Sequence, residues 1–280
     1  MAIKITREQF DALAALAQGE PAGDITELEA MGLIKDNKIT REGLDALEPY
    51  RAKRAVFIAA GFGSRMVPIT LNTPKPLVRV NGKRIIDTLI DACLDAGIEE
   101  ICIVRGYLGE QFDQLLYKYP MIKFLDNNLY NEANNISSAL IAGDLLSNAY
   151  VFEADLLLSN PKIITKYHYT SDFLAIQKDH TDDWCFTVEN GIITEEKVGG
   201  DNCWQMVGIS YWNDEDGRKL KKDIEDVYNS PDGKNRYWEQ VPLVFRKDNY
   251  RVAVKECRDE DIVEIDSFAE LKALDKAYDV

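Results

Sequence analysis

The sequence predicts an α/β protein: a doubly wound mixed sheet preceded by a small N-terminal helical appendage. Three observations carry this expectation. From Ala55 onward, short β-branched runs alternate with runs of helical periodicity, the pattern of strands linked by crossover helices. The first fifty residues instead hold two near-copies of one segment, Ile5-Thr-Arg-Glu-Gln-Phe-Asp-Ala-Leu13 and Ile39-Thr-Arg-Glu-Gly-Leu-Asp-Ala-Leu47. Between the two patterns lies the basic run Arg51-Ala-Lys-Arg54. The expected organisation is therefore a small, winged-helix-like unit over 1–50, a linker over 51–54 and a main domain over 55–280.

In chain order, Thr6 stands before an apolar-periodic run, and Thr6 with Gln9 has capping-box spacing. Ile25 to Leu33 reads as a further short helix, with Gly32 near its end and a turn at Asp36-Asn37. Strands are expected at Ala55–Ala59, Glu100–Val104, Ile122–Leu125, Tyr150–Glu153 and Asp172–Ile176, and helices near Ile85–Ala96, Glu110–Lys118 and Ile136–Leu146. From about Phe186 the pattern turns hairpin-like around Asn190-Gly191, and helices follow at Glu215–Tyr228 and Tyr237–Phe245.

Composition narrows the chemistry. With 280 residues, 46% of them hydrophobic, the chain can bury a substantial core. No run approaches the roughly 20 apolar residues of a membrane span, and the N-terminus lacks a signal peptide's apolar centre, so a cytoplasmic protein is expected. The five cysteines form no C-x-x-C pair, which leaves neither a zinc site nor a disulfide framework in view. A net charge of -15 argues against a broad nucleic-acid surface, and the first fifty residues, with five Lys or Arg against ten Asp or Glu, argue against DNA binding there. A packing or regulatory role for that appendage is the expectation. Only two histidines are present, so a mechanism built on several is excluded.

The first strand runs directly into Ala59-Ala-Gly-Phe-Gly-Ser-Arg-Met66, followed by Thr73-Pro-Lys-Pro-Leu77. Two glycines directly after a strand let the backbone approach a ligand, and successive N–H groups there can cradle phosphate oxygens. Arg65 and Lys75 add fixed positive charge beside that cradle. This stretch resembles the sugar-nucleotide pyrophosphorylase type of nucleotidyltransferase, whose signature is a G-x-G-[ST]-R loop followed by P-K-P-L. Met66, three positions after Gly63, departs from the dinucleotide fingerprint.

The resemblance covers Ala55 to Val280. It implies a Rossmann-like sheet of the nucleotide-diphospho-sugar transferase type, catalytic roles for Arg65 and Lys75, and nucleotide binding by Ala59, Ala60, Gly61, Gly63 and Ser64. It further suggests that Gly106, Tyr107, Asn131, Asn134, Asn135 and Ser137 hold base and ribose, although each Asn could equally be a helix cap. Nucleotidyl transfer calls for Mg²⁺ held by carboxylates, and the resemblance implies Asp155 and Asp266 as ligands. Glu153 is set aside as alternating to the other face of its strand. No Ser, Cys or His nucleophile is required, because an acceptor phosphate is already anionic and can attack once held in line.

Aromatic residues near acids recur in the second half: Asp182-Asp-Trp184, Tyr211-Trp212 and Tyr237-Trp-Glu239. A quaternary ammonium has no N–H to donate and is held by ring faces and nearby negative charge. With Val104-Arg-Gly-Tyr-Leu-Gly-Glu-Gln-Phe112, Glu153-Ala-Asp155, Gly208-Ile-Ser-Tyr-Trp212 and Glu264-Ile-Asp266, the chain is similar to the bacterial CTP:phosphocholine cytidylyltransferases. That similarity implies CTP and phosphocholine as substrates, CDP-choline and pyrophosphate as products, and Asp182, Trp184, Trp212, Tyr237, Trp238 and Glu239 as acceptor-binding residues. Alternatives are phosphoethanolamine as acceptor, a sugar-1-phosphate nucleotidyltransferase using UTP or dTTP, and a non-catalytic nucleotide-binding regulator whose appendage meets DNA or a partner. Neither nucleic acid nor membrane is an expected partner, and the oligomeric state is left open.

Overall fold

In the computed structural model, which describes residues 3–279, the chain opens with α1 (Arg7–Ala17) and α2 (Thr26–Ala30). The two-residue strands β1 (Ile34–Lys35) and β2 (Lys38–Ile39) pair around Asp36 and Asn37, both at positive φ, and α3 (Arg41–Leu47) follows. Met1 and Val280, which bound the two predicted units, lie outside the described residues. Thr6 caps α1 through the predicted capping box with Gln9, and Thr40 caps α3 through Gly43 N–H. Each cap contributes about 1 kcal/mol. Phe10, Leu13, Leu28, Leu33 and Leu47 close a core of their own, against which Tyr167 and Tyr169 pack.

The sheet begins with β3 (Arg54–Ala59). After the glycine-rich loop come the short β4 (Arg79–Val80) and β5 (Lys83–Arg84), then α4 (Ile85–Asp95), β6 (Glu100–Arg105), β7 (Lys123–Asp126) and α5 (Ile136–Ala142). There follow β8 (Ala149–Glu153), β9 (Leu156–Leu158), the long β10 (Asp172–Glu189) and β11 (Ile192–Trp212), and α6 (Asp214–Tyr228). The chain ends with β12 (Ala253–Cys257), β13 (Ile262–Glu264) and α7 (Phe268–Leu274).

The main sheet has seven strands in the order β10-β12-β11-β8-β3-β6-β7. β8, β3, β6 and β7 run parallel, and β11 joins β8 antiparallel, which makes the sheet mixed as expected. Alternation along each strand feeds two cores. Ala55, Phe57, Ile101, Ile103, Tyr150 and Phe152 pack with Ile86, Leu89 and Ile90 of α4 on one face. Val56, Cys102, Val104, Ala149 and Val151 pack with Ile136 and Ala139 of α5 and Leu220 and Ile224 of α6 on the other. Burying one such side chain fully contributes about 1.5–3 kcal/mol, so the two-sided apolar strands fix the layer order.

Three elements differ from the sequence expectation. The segment Gly109–Tyr117 is a 3₁₀ rather than an α-helix; it buries only Phe112 and Leu115, three residues apart, which a three-residue turn satisfies. The run expected to be helical over Tyr237–Phe245 is wound as a π-turn over Val241–Phe245 only. The strand beginning at Asp172 continues through the polar Gln177 to Trp184 and reaches Glu189, because β11 supplies a hydrogen-bonded partner along its length, with a bulge between Thr181 and Trp184. Among the described residues, no helix is long and apolar enough to cross a membrane.

Candidate active site

The glycine-rich loop leaves the carboxyl end of β3, where ligands of open α/β sheets bind. Gly63 takes a left-handed φ of 68°, and a Cβ there would stand 3.3 Å from Lys75 Cβ and Thr70 Cγ2. The loop is tied down on three sides. Thr70 Oγ1 donates to Gly63 O (3.0 Å), Tyr107 N–H donates to Ala60 O (3.0 Å), and Tyr107 Oη donates to Thr70 O (2.9 Å).

A cleft of about 260 Å³ opens beside it, lined among others by Ala59, Gly61, Gly63, Arg65, Lys75, Asn134, Asn135, Glu153, Asp155, Tyr237 and Glu264. Lys75 Nζ donates to Asp155 Oδ2 (2.7 Å) and Asp266 Oδ1 (3.0 Å), and Arg65 Nη2 reaches the same Asp266 oxygen at 2.7 Å. Burial works against the Lys75 ammonium, but the two carboxylates outweigh it and hold its pKa above the ordinary value.

Three carboxylates, Glu153, Asp155 and Glu264, present oxygens within 4.8 Å of one another. Asp155 Oδ1 is buried with no hydrogen-bond partner. Burial, then the neighbouring acids, raises Glu264 to about 8 and pushes Glu153 well above the usual carboxylate range. The grouping differs from the expected pair of Asp155 and Asp266, since Asp266 is engaged by Arg65 and Lys75 instead. Glu153, expected to face away, joins the group because β8 ends at it and the chain turns through Ala154 and Asp155, so strand alternation does not separate the two carboxylates.

The other predicted residues divide. Asn135 bridges the acids, its Nδ2 lying 3.5 Å from Glu153 Oε1 and 3.4 Å from Glu239 Oε2, while its Oδ1 accepts from Trp238 N–H. Asn134 accepts at the start of α5, from Asn135 N–H on its Oδ1 and from Ser137 N–H and Oγ on its carbonyl, and ties the helix to the 234–235 turn through its own N–H and side chain. Ser137 is buried and accepts from Asn127, and Asn131 and Ser64 are exposed off the cleft wall. Gly106 lies under the Tyr130 ring, where a Cβ would come within 2.8 Å; it and Tyr107 brace the loop without lining the cleft.

The expected four-ring cage is not assembled. Trp212 is fully buried, donates Nε1–H to Ser210 Oγ, and packs edge-on against the equally buried Trp238; both belong to the core under α6. Asp182 points to solvent and pairs with His180. Tyr237 lines the cleft, with Trp184 against it at a centroid distance of 5.8 Å, and Glu239 is buried behind Asn135.

Comparison with known proteins meets this geometry. The family model described as nucleotidyl transferase matches residues 54–197. The chain is 37% identical over 228 residues to the 2-aminoethylphosphonate cytidylyltransferase of Lancefieldella rimae, covering 80% of this chain and 92% of that protein. The chain belongs to the nucleotidyl transferase family. The choline-phosphate cytidylyltransferase of Streptococcus pneumoniae is 32% identical over 231 residues, covering 80% of this chain and 97% of the relative. The solved structure of the CTP:phosphocholine cytidylyltransferase from that organism superposes with a TM-score of 0.74 at 30% identity, covering 81% of this chain and 99% of the other.

In this nucleotidyl transferase the sequence assigned no role to Glu196 or Glu264 and set Glu153 aside. Glu196, on β11 opposite Phe186, is largely buried with neither carboxylate oxygen hydrogen-bonded, and burial followed by the Glu239 charge raises it to about 8. The available signal was Gly208. A Cβ on it would lie 2.7–2.8 Å from the Glu153 side chain, so the glycine leaves room for that carboxylate. Gly208→Ala is expected to lower turnover by about 10- to 100-fold by displacing the Glu153 carboxylate from the group of three, with little loss of thermal stability. Equal turnover in steady-state kinetics would refute this.

Proposed function

We propose that this nucleotidyl transferase moves CMP from CTP onto a small acceptor bearing a phosphonate or phosphate at one end and a primary ammonium at the other. An acceptor oxygen attacks the α-phosphorus, a P–O bond forms, the bond to the bridging oxygen breaks, and pyrophosphate leaves with that electron pair. Loop N–H groups hold the phosphates, while Lys75 and Arg65 face the charge that develops on the departing group. Positioning carries the remainder, because no protein nucleophile is needed.

The all-oxygen set of Glu153, Asp155 and Glu264, with one buried oxygen unsatisfied, fits a hard divalent cation. Mg²⁺ bound there would supply charge neutralisation at the phosphates.

The observation that carries the acceptor reading is the balance of rings and acids. Two rings, Trp184 and Tyr237, remain at the cleft, while Glu239 and Glu196 are buried carboxyls nearby, the second with both oxygens unpaired. A primary ammonium brings three donors to such groups; a trimethylammonium brings none. The 37% identity to a 2-aminoethylphosphonate cytidylyltransferase supports this choice. Phosphocholine is the second reading, favoured by the Trp184–Tyr237 ring pair.

Pyrophosphate release across the four NTPs, with 2-aminoethylphosphonate, phosphoethanolamine, phosphocholine or glucose-1-phosphate, tests both. Turnover confined to CTP and a primary-amine acceptor is expected. Turnover with phosphocholine alone would install the second reading, and turnover only with the sugar phosphate would sink both.

A pH dependence follows. Burial and the neighbouring Glu239 charge raise Glu196 to about 8, so below that pH it is protonated and becomes an ammonium-binding anion only as the pH rises. The acceptor KM is therefore expected to fall several-fold between about pH 6 and about pH 8, and Glu196→Gln should flatten that slope while leaving the CTP KM in place. Identical profiles for the two proteins would remove Glu196 from acceptor binding.

A further inference from the structure

A recess larger than the catalytic cleft lies elsewhere in the molecule. It lies at the amino ends of β3 and β10, the sheet edge opposite the glycine-rich loop, and encloses about 650 Å³, the size of a small-molecule site. Two parts of the chain build it. Arg7 and Phe10 come from α1, Tyr169 and Asp172 from the strap leading into β10, and Arg251 and Lys255 from the segment around β12. The strap is clamped to the linker by hydrogen bonds from His168 N–H to Tyr50 O and from Ala52 N–H to Lys166 O, so the two parts hold a fixed relation here.

The lining has its own chemistry. In a chain of net charge -15, three cations face this recess against one carboxylate. Arg7 is shared with Asp11 and lies over the Tyr169 ring at 5.5 Å, and Arg251 stands exposed at the rim. The Lys255 ammonium is bonded to a neutral group, Thr165 Oγ1 at 2.7 Å, and burial draws its pKa below the ordinary lysine value. It makes no direct ion pair, although the Asp172 carboxylate is near enough to favour its charge. Asp172 has the complementary deficit: Oδ2 shares a 2.6 Å hydrogen bond with His168 Nδ1, but Oδ1 is buried with no donor. An unmet buried acceptor is unfavourable, and an occupant with an N–H would relieve it.

We propose that this recess is a second ligand site, separate from the catalytic cleft, and that its ligand is a mononucleotide. An amino-bearing base supplies the donor that Asp172 Oδ1 lacks, and the phosphate supplies the anion for Lys255 and Arg251. The appendage completes the site through Arg7 and Phe10. The assignment does not depend on which acceptor the cleft takes.

Equilibrium dialysis of the full-length chain with labelled CMP and AMP tests it, with inorganic phosphate as a third probe. Two CMP per chain are expected, one lost in Lys75→Met through the cleft and the other weakened at least about tenfold in Arg251→Ser, whose rim position spares the fold. Lys255→Met should weaken the same event. One CMP per chain in the wild-type protein, or a second event indifferent to both rim and floor substitutions, would overturn the site. Phosphate binding without either nucleotide would overturn the nucleotide assignment. Pyrophosphate release, measured in parallel, reads the cleft alone and separates this failure from failure of the proposed function.

Discussion

Lys75→Met is expected to lower kcat for pyrophosphate release by about 10²- to 10³-fold, the scale of removing one preorganised charge-stabilising group. The side chain is buried, and its ammonium holds Asp155 and Asp266 together in the same cleft as Glu153 and Glu264. Removing it leaves Asp155 without its ion-pair partner and Asp266 with Arg65 alone, so the protein free of divalent cation should also lose about 3–5 kcal/mol of stability. The sign is checkable within one experiment. Saturating Mg²⁺ should restore part of the lost stability in thermal unfolding but little of the lost rate, because a metal replaces the charge and not the position facing the leaving group. A variant with wild-type kcat would remove Lys75 from the mechanism.

Asp155→Asn is expected to have a comparable effect by a different route. Its Oδ2 holds Lys75 while its Oδ1 is buried and unsatisfied, so one residue joins the cation to the group of three carboxylates. An amide keeps the shape and offers a weaker neutral oxygen, and turnover should fall by about 10³-fold, corresponding to several kcal/mol of charge stabilisation. In the wild-type protein, Mg²⁺ at a hundred times its dissociation constant should stabilise the fold by about 2.7 kcal/mol. That increment should vanish in the variant. A variant whose thermal stability still rises with Mg²⁺ as the wild type does would show that Asp155 is not a ligand.

How much of this could be read from the sequence depended on range. The layer order followed from local periodicity, because strands such as Ala55–Ala59 and Glu100–Val104 are apolar on both faces and lie between amphipathic helices. The loop with Arg65 and Lys75 was legible for the same reason: its glycines and cations are contiguous. Glu264 was not, since it meets Glu153 and Asp155 only after more than a hundred intervening residues, and nothing local marks one acid among 48. Trp212 and Trp238 misled because an aromatic beside an acid reads alike in core and cleft; the strand register and the α6 face decide, and both are long-range. The length of β10 was hidden by its polar middle, where pairing with β11 rather than apolar burial keeps the strand extended.

That hairpin divides labour along the chain. The glycine-rich loop and the carboxylates come from the ends of β3, β8 and β13, while Trp184 and Glu196 sit where the β10–β11 hairpin folds back on the sheet, beside the fully buried Phe186. Side chains on the exposed side of that hairpin can vary one at a time with the groups at the strand ends left untouched. A single inherited scaffold can in this way diversify its products without renegotiating its chemistry.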